Sequence, residues 1–126
     1  MATKSIGTTG RDYSTVALWL ASLPATLTAA EVGECYNDSE FTEDIDLGAG
    51  ITTTGFSLTL RAAAGHGIAD HAGKDTNAVF YDVTKGVGFR NGSTSTLLTI
   101  SSENTTVEGL QLFKDQSGGY GYYVIV

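Results

Sequence analysis

Cysteine occurs once in the chain, at Cys35, so no disulfide within the chain can hold the fold together. Stability must come from packing, or from packing plus a partner. Proline also occurs once, at Pro24, so corners with a locked φ are nearly absent. Bases are scarce: 7 Lys and Arg stand against 14 Asp and Glu, for a formal net charge of -7. Phosphate backbones are gripped by clustered Lys and Arg, and here the bases are scattered singly, which argues against a nucleic-acid-binding surface. No run of eighteen apolar residues occurs. Met1–Asp12 has no apolar stretch of signal-peptide length either, so neither a membrane helix nor a secretory leader is expected.

Glycine, by contrast, is abundant, with 16 in 126 residues, and hydrophobic residues make up 41% of the chain, enough for a core. Many Thr and Gly and few Lys favour an all-β chain with frequent tight corners. One segment has helical periodicity. Val16, Trp19, Leu20 and Leu23 share a face, Asp12 or Ser14 is placed to cap it, and Pro24 stops it, which predicts a helix over about 14–23. The polar, Gly/Thr-rich residues 1–12 are expected to be a flexible arm, with residues 13–126 forming a single domain.

After Ala30 short apolar runs alternate with Gly, Asn, Asp and Ser. Strands are predicted over about 31–36, 41–47, 56–62, 78–83, 86–90, 96–101, 105–113 and 122–126. Leu58 and Leu60 alternate with Thr59 and Arg61, a half-buried pattern. Val107, Leu110 and Leu112 are interleaved with Glu108 and Gln111, and Gly109 disturbs the period of two. Asn91-Gly92 is the single Asn-Gly or Asp-Gly hairpin signal, so a coil turning by bends of mixed length is favoured over a meander of hairpins.

The segments Gly10–Thr15, Ala21–Pro24, Gly33–Asp38, Leu60–His66 and Thr105–Leu110 resemble the opening of right-handed parallel β-helix proteins of the pectate-lyase-like type, frequent in bacteriophages. The resemblance covers nearly the whole chain. It implies a short right-handed parallel β-helix-like solenoid, with the N-terminal helix as its cap and the Thr-Val-Glu-Gly-Leu segment as one rung. At about 20 residues or more per coil, the stretch after the helix supplies only a few turns. The resemblance further implies a phage virion structural protein rather than an enzyme, most concretely a capsid decoration or cement protein. Its expected partners are further copies of itself, as a homotrimer, and a major capsid protein, in the virion. The alternative it implies is a carbohydrate-binding tail fibre or spike module, or a diminished polysaccharide lyase.

Candidate sites follow from residue chemistry. The C-terminal segment Tyr120, Tyr122, Tyr123, Val124, Ile125 and Val126 is apolar on both faces, and no charged residue follows Asp115. Such a strand is either buried in the chain's own fold or completed by another subunit, and these residues are the predicted subunit or capsid interface. Half of the acids lie in one stretch, Glu31, Glu34, Asp38, Glu40, Glu43, Asp44 and Asp46. Their spacing matches no calcium loop, and a solvated acidic face is the simpler account. Lyases of the resembling family use calcium and a basic residue. Arg61 can be cast in that role, although a structural pairing with the acids is simpler. His66 and His71 bracket Asp70 without a further ligand in sight, so no metal, cofactor or catalytic residue is assigned. Trp19, Tyr36, Tyr81 and Phe89 are the candidates for sugar stacking under the alternative.

Overall fold

The structure, a computed structural model, describes residues 1–67, 82–92, 96–116 and 120–125. It is mostly strand with one helix. Nine strands occur among the described residues: β1 (Ala2–Ile6), β2 (Glu31–Cys35), β3 (Ile45–Leu47), β4 (Leu58–Ala62), β5 (Gly88–Asn91), β6 (Leu98–Ile100), β7 (Thr105–Glu108), β8 (Gln111–Gln116) and β9 (Tyr120–Ile125). The helix, α1, spans Val16–Ser22.

The strands form three sheets. The first has the order β1-β2-β4-β7 and is parallel throughout, with Ala2, Glu31, Leu58 and Thr105 in one register row. The second pairs β3 with β6 in parallel, Ile45 facing Leu98 and Leu47 facing Ile100. The third has the order β5-β8-β9. Its β5 and β8 run parallel, β9 folds back antiparallel on β8, and Phe41 bridges Phe89 of β5 from the other side. From β2 onward the chain visits the sheets in a repeating order: first at β2, third at Phe41, second at β3, first at β4, third at β5, second at β6, first at β7, third at β8.

Alternation explains what lies inside. Leu58 and Leu60 of β4, Ile45 and Leu47 of β3, Phe89 of β5 and Ile6 of β1 project into one apolar cluster with Trp19, Val87 and Leu110. Helix α1 closes the β1 end of this cluster by burying Val16 and Trp19. It is capped by Thr15, whose hydroxyl accepts from the Leu18 N–H at 3.1 Å, and not by Asp12 or Ser14. Asp12 is engaged elsewhere, accepting from the backbone N–H and hydroxyl of Ser5 at 2.9 and 3.0 Å.

Several expectations are corrected. Residues 1–12 are not a flexible arm. Ala2–Ile6 is a strand paired along its whole length with β2, because Ile6 contributes a fully buried side chain and β2 offers a free edge. Residues 7–13 then turn back, and Tyr13 bonds to Gly7 and Ser5 across the outer edge of β1. The expected strand over 105–113 is two strands in two different sheets. Gly109, at φ +73°, turns the chain between them and sends Leu110 into the core. The same turn moves Gln111 from the polar outer face to a fully buried position. Of the strand expected over 78–83, residues 78–81 lie outside the described residues, and Val83 starts a 3-10 turn, Val83–Lys85, capped by Asp82. The run 41–47 is interrupted as well, with Phe41 in the third sheet and Ile45–Leu47 in the second.

Candidate functional site

Five members of the acidic stretch are drawn into separate structural tasks. Glu34, on the outer face of the first sheet, stands in register with Arg61 of β4, which stands in register with Glu108 of β7. Arg61 donates to Glu34 from Nη2 at 2.6 Å and Nε at 3.1 Å, while its Nη1 lies 4.0 Å from Glu108. The candidate base is thus a guanidinium held between two carboxylates, where it bridges β4 to the strands on either side. Glu43 closes the N-terminus of α1, accepting from the Val16 N–H at 2.7 Å and the Ala17 N–H at 3.0 Å. Asp44 accepts from Asn91 Nδ2 at 2.8 Å, and Asp46 from the Ser101 hydroxyl.

Asp38 belongs to the densest polar cluster. The Arg11 guanidinium grips it bidentately at 2.9 and 3.0 Å, and the Thr9 N–H adds a third donor at 3.3 Å. These bonds hold the Asp38 carboxyl below its ordinary value against the opposing effect of burial, and raise the Arg11 guanidinium in turn. The guanidinium lies over the Tyr36 ring at 3.6 Å, and Tyr36 meets the His66 ring edge-on at 4.7 Å. His66 Nδ1 accepts from the Asn37 N–H at 3.1 Å. Residues from the turn after β1, the turn after β2 and the turn after β4 are thereby locked together. These contacts make the cluster a structural latch. Asp70 and His71 lie outside the described residues. Among the described residues no three His, Cys, Asp or Glu side chains converge as metal ligands.

The ring candidates for sugar stacking divide. Trp19 and Phe89 are fully buried, and Phe89 stacks on Phe41 at 4.6 Å within the core. Tyr36 is covered by Arg11, and Tyr81 lies outside the described residues. Two shallow depressions lie among the described residues. One, of about 270 Å³, runs between α1 and β3, with Leu20, Ile45 and Ile51 in its wall and Asp44 and Asp46 at its rim. The other, of about 200 Å³, is lined by Thr52, Thr53, Ser102 and Glu103.

The two ends of the sheets differ. At the β1 end, α1 and Tyr13 cover both core and edge. At the opposite end the core thins out: Leu47 is fully buried but its register partner Ile100 is 52% exposed, and fully buried Leu60 is followed by half-buried Val107. Of the predicted interface residues, Tyr120–Ile125 form β9, an edge strand whose pairing to β8 runs from Gln111↔Ile125 to Gln116↔Tyr120. Val126 lies outside the described residues.

Residue-level reading of the sequence missed two side chains that organise corners. Buried Gln111 accepts from the Asp82 N–H at 2.8 Å and donates to the carbonyls of Asp82 and Gly86 at 2.9 and 3.1 Å. Glu43 caps α1 from 26 and 27 residues away. A bonding partner that distant leaves no periodic trace in the chain. Compared with known proteins, the sequence matches no family model and no curated protein, and the structure matches no solved structure.

Proposed function

We propose that the chain is a short right-handed parallel β-helix that serves as a non-enzymatic structural protein of a phage particle, a capsid decoration protein assembling as a homo-oligomer, most simply a trimer. The β-helix reading draws support from the repeating first-third-second order of the sheets and from the strong right-handed preference of parallel crossovers. The observation that carries the assembly reading is the uneven closure of the stack. The β1 end is capped, while at the other end Ile100 and Val107 sit on inward-facing rows with nothing further laid over them among the described residues. Each rung of a solenoid buries its apolar face only against its neighbours, so an open rung is completed by another molecule or remains a liability. Of the side chains named for a lyase or a sugar-binding module, Arg61 lies between carboxylates and Trp19 and Phe89 lie in the core.

Light scattering on size-fractionated protein tests this directly, together with co-sedimentation with phage shells. An oligomer that loses its assembly when residues 120–126 are removed is the expected result. A well-behaved monomer that binds no shell and tolerates that deletion overturns the reading.

A further inference from the structure

The outer face of the first sheet carries a row of alternating charge. Glu34, Arg61 and Glu108 occupy one register position on β2, β4 and β7. Arg61 is not shared equally: it is 2.6 Å from Glu34 and 4.0 Å from Glu108. Glu108 is 56% exposed at its side chain, on the last strand of the sheet, and carries negative charge that Arg61 only partly offsets. The next register row inward reads Gly33, Leu60, Val107, and Val107 is partly buried against the core. Beyond β7 the sheet has no further strand among the described residues.

We infer that the free edge of β7 takes a parallel strand from another protein, with an apolar side chain in register with Val107 and a lysine or arginine in register with Glu108. The inference rests on the assembly reading above and names the partner's chemistry. A strand added to a sheet edge gains main-chain hydrogen bonds from any sequence, so selectivity falls to the alternate side chains. Here the inward position asks for an apolar group to finish covering Val107. The outward position asks for a cation, because a second carboxylate directly opposite Glu108 is destabilising. Among the described residues a second copy of this chain offers no free strand of this pattern. Its described strands with an apolar residue followed by a base are β4, β5 and β8, and all are occupied on both edges: β4 by β2 and β7, β8 by β5 and β9, β5 by β8 and Phe41. With no such strand free among the described residues, the partner this edge fits is a different protein presenting an apolar-basic strand.

The test uses the isotope-labelled full chain and two peptides, Ser-Thr-Thr-Val-Lys-Thr-Ser and the same sequence with Glu in place of Lys, followed by NMR titration and amide hydrogen exchange. The Lys peptide is expected to bind about threefold to tenfold more tightly at low salt, the preference shrinking at high salt, with slowed exchange in Thr105–Glu108. Glu108→Lys is expected to invert the preference and Glu108→Gln to level it, each with an unchanged circular dichroism spectrum. Binding of neither peptide, or equal binding of both, overturns the inference while leaving self-association to be judged by light scattering. A chain that discriminates between the peptides yet stays monomeric and binds no shell sinks only the assembly reading.

Discussion

Gly33→Ala is expected to loosen the capped end of the molecule. A Cβ placed on Gly33 would lie 2.7 and 2.8 Å from Cζ3 and Cε3 of Trp19 and 2.9 Å from Cδ1 of Ile6. Ordinary carbon contacts lie near 3.5–4.0 Å, so at least one of these groups must move by roughly 1 Å. Neither has room: Trp19 and Ile6 are both fully buried, and Trp19 is the largest side chain that α1 lays over the core. Inserting a methyl into a packed core costs about 1–3 kcal/mol. For a chain of 126 residues the unfolding entropy is about 0.26 kcal/mol/K, so a cost of about 2 kcal/mol lowers Tm by about 8 °C. Differential scanning calorimetry of Gly33→Ala, Trp19→Leu and the double variant measures it. A leucine in place of the indole should relieve part of the clash, leaving the double variant about 1 kcal/mol more stable than the two single costs imply. A Gly33→Ala protein melting within about 2 °C of the parent would refute the view that Trp19 is clamped against β2.

Three further outcomes are expected. Asp38→Asn should destabilise the protein at neutral pH, and the difference from the parent should vanish in acid. The folded-state pKa of Asp38 is depressed, so its contribution is present above the ordinary value near 3.9 and is lost as pH falls through the folded value. Urea titrations across that range check it, and a difference that survives at the acid end contradicts the Arg11 pairing. Gln111→Leu should cost about 2–3 kcal/mol, read as a fall in Tm of about 10 °C, because it strands one backbone N–H and two carbonyls at a buried corner. Cys35 should be inert toward thiol reagents in the native protein and react at once in urea, since burial both shields the thiol and pushes its pKa up. Prompt native-state labelling would show that the β2 face opens.

Much of the secondary structure is legible in the sequence because its signals are local. Pro24 and the Val16, Trp19, Leu20, Leu23 spacing mark α1 to within two residues of its start and one of its end. The alternation in 58–62 marks β4 and its buried face. Ala2–Ile6 reads as a tail because its polar residues carry no strand signal in isolation, and only the edge of β2 makes them a strand. The break at Gly109 is visible as an irregularity, but its size is not: a bulge and a corner between two sheets leave the same single glycine in the sequence. The candidate site is the least legible part. Charge counts show seven acids in one stretch, and they do not show that Arg11 would reach Asp38 or that Glu43 would cap a helix.

What the sequence determines by itself is the class of the chain: β-rich, turning often, with one short helix near its start, and held without an internal disulfide. Those properties follow from residue preferences acting over a few positions. Which face each strand joins, which acids are neutralised and which end α1 covers were decided only by the tertiary structure. Each of these depends on register between strands that lie far apart in the chain, and a register is a property of pairs, absent from any single segment.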